Sequence, residues 1–134
     1  MSADSALADL LGDERFVSLT TFRRSGEPVS TPVWVGRDGD ALVVTTPQTS
    51  GKVKRIRNSP RVELCPCSRM GRVKDGAETV AGVAEIVTDE AARKRLTGII
   101  RGKYGLEYRV VMGIERLLKK PGDENRVILR ITRA

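Results

Sequence analysis

Histidine is absent from this chain of 134 residues. Because histidine is the commonest general base and a frequent metal ligand, its absence excludes Ser-His and Cys-His nucleophile pairs and the usual zinc and iron sites. The sequence also lacks a Walker loop, a Rossmann glycine fingerprint and a nucleophile elbow. We therefore expect any chemistry to come from a bound cofactor, for which the protein supplies position and electric field.

Cysteine and long apolar runs are scarce as well. The two cysteines, Cys65 and Cys67, lie too close together in an extended strand to suggest a disulfide framework, and alone they cannot form a four-ligand metal site. We expect no bound metal. No apolar run approaches the roughly 18 residues of a membrane helix, and the acidic, amphipathic start does not resemble a signal peptide. These features predict a cytoplasmic protein without a membrane partner.

Aromatic residues make up 4% of the chain, and none lies between Pro47 and Lys103. Proteins that bind single-stranded nucleic acid usually interleave aromatic and basic side chains, because bases stack on the rings. The basic part of this sequence has no such rings. We therefore expect no nucleic-acid partner, although binding to duplex phosphates alone stays compatible with the composition.

Positive charge is concentrated in one part of the chain. The segment TSGKVKRIRNSPR, from Thr49 to Arg61, contains five basic residues and no acid. Extended to Lys74, it holds eight basic residues and one acid, a surplus equal to the net charge of +7 of the whole chain. A solvated basic surface explains many such runs, but the balanced charge elsewhere favours a local anionic partner.

Alternating apolar and β-branched residues predict six strands. The predicted strands are Phe16–Phe22, Val29–Val35, Ala41–Thr46, Arg61–Cys67, Ala77–Val87 and Arg126–Thr132. A short amphipathic helix in SALADLLGD precedes them, another follows Thr49, and apolar residues between Leu96 and Leu118 mark two more. The order predicts an α+β fold, mainly β, with about six mostly antiparallel strands in a small barrel with short helices, over residues 1–134 as a single domain.

The helix that begins in the basic segment has the features of an anion site. Ser50 is suited to cap its amino terminus, and Lys52 falls in the first turn. Free backbone N–H groups and the helix dipole attract negative charge there. Lys54 and Arg55 would extend positive potential away from this point, which suits a phosphate with an anionic tail better than a bare phosphate.

The stretch from Phe16 to Cys67 resembles a known family. Its string TPVWV followed by SGKVKRIRNSPRV is similar to the amino-terminal half of the pyridoxamine phosphate oxidase-like split β-barrel flavoproteins. Within them it looks closest to the actinobacterial branch that uses the deazaflavin coenzyme F-420. The likeness continues weakly through VAGVAEIV and KYGLEYRVV. It implies a split β-barrel and a homodimer with a cofactor in each groove between the subunits.

The resemblance assigns cofactor-binding roles to residues around the basic helix. Those that match phosphate and ribityl positions are Ser50, Lys52, Thr45 and Thr46. Lys54 and Arg55 would reach the anionic tail of the coenzyme.

Part of the second strand matches the region whose backbone faces the cofactor ring system. These residues are Thr31, Pro32, Val33 and Trp34. Pro32 fits physically, because a proline interrupts the hydrogen-bond ladder where a flat ring can meet backbone groups. Trp34 fits a core aromatic and a ring contact equally well. We expect Arg61 to be a surface charge and Tyr104 and Tyr108 to pack at helix ends.

Two cofactors are compatible with these residues. Flavin mononucleotide (FMN) carries one phosphate, for which a single basic residue with helix N–H groups suffices. Coenzyme F-420 carries a phosphodiester and an oligoglutamate tail, and the local surplus of positive charge matches it more closely. We predict a coenzyme F-420 (deazaflavin)-dependent oxidoreductase, a reductase that transfers a hydride to a small-molecule substrate. The alternative is an FMN-binding flavoprotein of the same family.

A non-catalytic cofactor carrier is the third interpretation, since it needs the same groove. The sequence singles out no catalytic residue, because the proton could come from solvent, a tyrosine, a lysine or Cys67. A barrel that binds nucleic acid is the least favoured class.

Overall fold

The computed structural model describes residues 6–118 and 126–134. The strands in these ranges are β1 (Val17–Phe22), β2 (Pro28–Val33), β3 (Gly36–Asp38), β4 (Ala41–Pro47), β5 (Arg61–Pro66), β6 (Val80–Val87) and β7 (Arg126–Arg133). The helices are α1 (Leu7–Leu11), α2 (Gly51–Asn58), α3 (Glu90–Tyr104) and α4 (Leu106–Leu118). The strands form one antiparallel sheet in the order β2-β1-β5-β6-β7-β4-β3.

The two edge strands of this sheet, β2 and β3, are consecutive in the chain, and only Trp34 and Val35 connect them. The three Cα–Cα steps across this link span about 11 Å at most. The two edges must therefore approach each other at this corner, so the sheet is curled into a half-barrel. This confirms the predicted α+β, mainly β, split-barrel fold.

Several element boundaries differ from the predicted ones. The strand predicted over Val29–Val35 is β2, which ends at Val33, before Trp34 and Val35, and the additional strand β3 begins at Gly36, outside the predicted range. β6 begins at Val80 and not at Ala77, since a turn closed by the Ala77 N–H and the Lys74 carbonyl (3.1 Å) occupies the predicted start. The helix predicted in SALADLLGD is α1, but the first residue of that string lies outside the described residues.

Two apolar clusters occupy opposite faces of the curled sheet. Leu42 and Val44 belong to the larger one, together with residues of α1, α2 and most strands, whereas Val43 belongs to the smaller one. This division follows from the alternation of side chains along β4. The smaller cluster packs Leu96 and Ile100 of α3 on the outer face of the sheet. The larger cluster is therefore the barrel interior, and α3 covers its outer wall.

The corner between β2 and β3 is held by the last two residues of α3. The Lys103 ammonium donates hydrogen bonds to the carbonyls of Gly12 (2.9 Å), Glu14 (2.6 Å) and Val35 (2.9 Å), which uses all three of its donors. The Tyr104 hydroxyl accepts from the Val35 N–H (3.0 Å) and donates to the carbonyl of residue 15 (2.8 Å). The backbone of Val35 is thus bonded to side chains instead of to a neighbouring strand, which explains why β2 ends before it.

α4 differs from the other helices because none of its residues is buried. Its attachments are largely polar: Glu107 pairs with Arg15 (2.5 Å) and Arg69 (3.0 Å), and Glu115 pairs with Arg126. Its exposed apolar residues are Leu106, Val110, Val111, Ile114, Leu117 and Leu118. No helix within residues 6–118 and 126–134 has both the length and the apolar composition needed to cross a membrane.

We expect the hydrogen bonds of the Tyr104 hydroxyl to make a measurable contribution to stability. Tyr104→Phe keeps the ring but leaves the Val35 N–H and the carbonyl of residue 15 without this partner, so we expect the free energy of unfolding to fall by about 1–3 kcal/mol. Urea unfolding measures the change. Tyr108→Phe is the matched control, because the Tyr108 hydroxyl has no hydrogen bond in the described structure, and it should cost less than about 0.5 kcal/mol. Equal losses in the two variants would contradict the role assigned to this corner.

Candidate functional site

A cavity of about 210 Å³, here called the main cavity, lies where the ends of β2 and β4 meet the start of α2. Its lining residues are Phe16, Pro32, Val33, Trp34, Thr45, Thr46, Pro47, Lys52, Val111, Met112, Glu115 and Arg126. Three barrel strands and two helices contribute to it. The cavity therefore depends on how the sheet curls and on where α4 lies.

The start of α2 provides several hydrogen-bond donors beside this cavity. Ser50 caps the helix, because its hydroxyl accepts from the Val53 N–H (3.4 Å), as the sequence predicted. The same hydroxyl accepts from the Thr46 hydroxyl (3.0 Å). Since both acceptor positions of Ser50 are occupied, its own proton is free to be donated to a ligand. The first N–H groups of the helix add further donors and the positive end of the dipole.

Lys52 is the positive charge that this helix brings to the main cavity. Its side chain is partly buried and forms no ion pair within the described residues. Burial, followed by the neighbouring charges of Arg55 and Arg126, lowers the pKa of Lys52 below that of an ordinary lysine. An anion in the cavity would offset both effects, so the site favours a negatively charged ligand.

Arg126, the first residue of β7, supplies the second positive charge. Its Nε donates to the Thr45 hydroxyl (3.1 Å) and its Nη2 donates to the Thr45 carbonyl (3.2 Å). Its Nη1 donates to Glu115 of α4. These three bonds leave two of the five guanidinium N–H groups available for a ligand. Thr45 therefore fixes a cation at the wall of the cavity and keeps part of its donor capacity unused.

Part of the wall of the main cavity is aromatic. Trp34 lines the cavity and also stacks on Tyr104, with ring centroids 4.6 Å apart and planes inclined by 16°. The ring centroid of Trp34 also lies 6.2 Å from that of Tyr108. Trp34 is therefore both a packed aromatic and a cavity residue, so the two interpretations of it are compatible. Tyr104 and Tyr108 pack near the junction of α3 and α4, as the sequence predicted.

The main cavity continues along α4 into an apolar groove of about 490 Å³. Pro47, Val111 and Glu115 line both spaces. The groove adds Thr49, Ser50, Ile114 and Leu118. A ligand with its anionic group at Lys52 could therefore extend a larger part of itself along α4.

Lys54 and Arg55 do not line the main cavity. They line a separate space of about 300 Å³, the arginine cavity, whose other lining residues are Phe22, Arg23, Arg24 and Asn58. The Arg55 Nε donates to the Thr21 hydroxyl (2.6 Å), which holds the side chain against β1. Burial, followed by the charge of Arg23, lowers the pKa of Arg55. The basic segment thus serves two different places on the surface.

The structure brings together most of the residues assigned by resemblance. Six of them line the main cavity: Pro32, Val33, Trp34, Thr45, Thr46 and Lys52. Ser50 lies beside it in the adjoining groove. Thr31 does not line the cavity, and its buried hydroxyl is without a hydrogen-bond partner in the described structure. Arg61 is exposed and lies over the Phe22 ring (4.1 Å), in keeping with a surface charge.

The sequence did not identify Arg126, Glu115 or the cavity residues of α4. Arg126 reaches the site because β7 pairs with β4 and places it opposite Pro47. That pairing joins segments about eighty positions apart, and no local pattern specifies it. Glu115 lies on a helix whose position depends on ion pairs, which periodicity does not reveal. The sequence does show a basic residue, Arg126, at the start of its last strand. It does not indicate which other strand pairs with that one.

Solved structures with the same fold bind different ligands, according to their names. An F-420 reductase is 24% identical, with a TM-score of 0.59, and the match covers 95% of this chain and 92% of the other. A FAD-binding protein from Mesorhizobium loti is 18% identical (TM-score 0.64; 100% and 91% covered). The heme storage protein HutZ from Vibrio cholerae is 13% identical (TM-score 0.67; 91% and 83% covered). At these identities the likeness shows the fold alone.

No curated protein matches the sequence. The sequence pattern of the family described as pyridoxamine 5'-phosphate oxidase matches residues 3–134, nearly the entire chain. The curled antiparallel sheet and the cavity at the ends of β2 and β4 agree with this match. The chain therefore belongs to the pyridoxamine 5'-phosphate oxidase family.

Proposed function

We propose that this protein binds coenzyme F-420 in the main cavity and acts as an oxidoreductase that transfers a hydride to a small-molecule substrate. The observation that carries the proposal is that Lys52, Arg126 and Trp34 line one cavity at the amino terminus of α2. Such a site can hold a phosphate at one end and a flat ring at the other. The family and the F-420 reductase among the similar structures support this choice.

The residues of the main cavity fit a phosphate-bearing cofactor. Lys52 is a partly buried cation that lacks an acid partner in the described structure, and Ser50 has a hydroxyl proton to donate. The Trp34 and Pro32 side chains form an apolar wall nearby. When bound, a deazaflavin supplies the hydride chemistry itself. The chain would orient the coenzyme and keep water away from the reacting atoms.

The choice of coenzyme F-420 over FMN rests on the surrounding charge. Lys54 and Arg55 line the arginine cavity beside Arg23 and Arg24, which extends positive potential beyond the phosphate position. An oligoglutamate tail would benefit from these charges, whereas FMN has no group that reaches them. We propose that Lys54 and Arg55 contact the tail and that Thr31 is part of the strand whose backbone faces the ring system.

A cofactor carrier without a reaction of its own is the second candidate. One of the similar structures is named as a heme storage protein, which supports a carrier role. Within the described residues no cavity side chain is placed as an evident proton donor except Lys52, which the phosphate would occupy. Turnover assays with reduced coenzyme F-420 and small electrophilic substrates separate the reductase from the carrier.

Binding titrations test the proposed cofactor. We expect coenzyme F-420 to bind with low-micromolar affinity and FMN to bind more weakly, because only the former has a tail for the arginine cavity. Absorbance and fluorescence changes of each coenzyme measure the affinities. The reverse preference would favour the FMN-binding alternative, and failure of both to bind would overturn the cofactor proposal.

Replacement of Lys52 tests the phosphate position. Lys52→Ala removes a charge-assisted contact worth about 1.5–3 kcal/mol, so coenzyme affinity should fall roughly ten- to a hundredfold. Circular dichroism should show an unchanged fold. Arg61→Ala is the matched control, because Arg61 belongs to the same basic segment but is exposed on β5, and it should change affinity little. Equal losses would identify the segment as a general electrostatic surface.

We also propose a homodimer with the cofactor between subunits. α4 exposes its apolar residues and forms one wall of the main cavity and its groove, so a second subunit packed on α4 would cover both. A symmetric dimer is the commonest assembly of soluble chains. Sedimentation velocity at micromolar concentration should give a dimer. A stable monomer that still binds coenzyme tightly would contradict the proposal.

A further inference from the structure

Three charged side chains line the main cavity within the described residues: Lys52, Arg126 and Glu115. Two are positive and one is negative, so the cavity carries a single net positive charge. We propose that Glu115 is a specificity-determining residue that makes the site prefer a phosphate with one negative charge, a phosphodiester, over a phosphomonoester with two. This inference rests on the proposed function of the cavity as a phosphate site.

The position of Glu115 makes it compete with a bound phosphate. Its carboxylate accepts from the Nη1 of Arg126, while Thr45 holds the other edge of the same guanidinium. A phosphate that uses the remaining N–H groups of Arg126 must therefore lie near the carboxylate. The first negative charge of that phosphate is balanced by the net charge of the cavity. Glu115 repels both kinds of phosphate, but it repels one with two negative charges about twice as strongly, because the repulsion is proportional to the charge of the ligand.

The size of this effect follows from the partial exposure of the pair. The side chain of Glu115 is 41% exposed and that of Arg126 is 26% exposed, so solvent weakens but does not abolish the repulsion. Glu115 would therefore change the relative affinities for a phosphodiester and a phosphomonoester without excluding either ligand. It would discriminate between ligands by their charge and not by their shape, because the Glu115 carboxylate contacts Arg126, the cation that the ligand also contacts.

This preference bears on the coenzyme that the site accepts. The phosphate of FMN is a monoester, whose second ionisation lies near pH 6, so it carries mostly two charges at neutral pH. The linkage in coenzyme F-420 is a diester with one charge at any physiological pH. Glu115 would thus favour the deazaflavin independently of the glutamate tail. The arginine cavity and Glu115 would select the same coenzyme by separate means.

Glu115→Gln tests the inference, because it removes the charge and keeps the size of the side chain. Affinities for FMN and for coenzyme F-420 without its glutamates are measured by fluorescence titration. We expect the wild-type protein to prefer the tail-less diester. The variant should shift the ratio of the two affinities towards FMN by roughly three- to tenfold. An unchanged ratio would overturn the inference.

A second readout follows the ionisation of the ligand. As the pH falls from about 7.5 to about 5.5, FMN loses its second charge, so its affinity for the wild-type protein should rise relative to that of the diester. In Glu115→Gln this rise should be smaller. Glu107→Gln is the matched control: it breaks the ion pairs at the other end of α4 without changing the charge of the cavity. The same shift in both variants would show that loosening of α4 is the cause and would overturn the inference.

Small probes separate this inference from the proposed cofactor. Dimethyl phosphate and methyl phosphate carry the two kinds of phosphate without a ring, and the amide NMR signals of Gly51 and Lys52 report their binding. If neither coenzyme binds but Glu115→Gln shifts the preference towards methyl phosphate, the cofactor proposal fails and the role of Glu115 stands. If neither probe perturbs these signals in either protein, the cavity is not a phosphate site and the inference fails.

Discussion

The bonds from Lys103 and Tyr104 to the backbone around Val35 fix the corner at which the two edges of the barrel meet. Burial lowers the pKa of Lys103 and raises that of Tyr104, so each group is held in a place that disfavours its charged form. Three carbonyls around the Lys103 ammonium offset much of that penalty. The corner in turn orients Trp34, which is stacked on Tyr104. The position of Trp34 in the wall of the main cavity therefore depends on the bonds that Lys103 and Tyr104 make at this corner.

The elements that the sequence predicted well are those whose signals are local. The cap at Ser50, the turn before Ala41, which the string RDGD predicts as a hairpin, and the helix within residues 90–104 each follow from a few adjacent residues. At the turn, Gly39 has a φ of +60°, a conformation that glycine adopts without strain. The early end of β2, before Val35, was missed because its cause, Tyr104, lies 69 positions from Val35 in the chain. Alternation alone cannot reveal a backbone group whose partner is a distant side chain.

The residues of the candidate site also divide into those with local signals in the sequence and those whose positions depend on distant parts of the chain. Lys52 was predicted because a strand followed by a capped helix is a local motif, whereas the threonines at the end of β4 were assigned by the family resemblance. Arg126 was missed because its place depends on the register of β4 with β7, a long-range pairing set by the folded sheet. Glu115 was missed because α4 is held by ion pairs and has no buried face from which its orientation could be deduced. Glu115, the acidic partner of Arg126, can therefore be assigned to the site only from the folded structure.

The basic segment also has a different meaning in the folded chain than along the sequence. Successive helical residues are rotated by about 100°, so Lys54 lies on the side of α2 nearly opposite to Lys52. Arg55 is directed towards β1 by its bond to Thr21 and joins Lys54 in the arginine cavity. A run that appears as one cluster in the sequence is thus split by the helix between two cavities. The main cavity keeps one lysine of the run and takes its second cation from β7, so its charge is set by the packing of the sheet and of α4 more than by the composition of the segment.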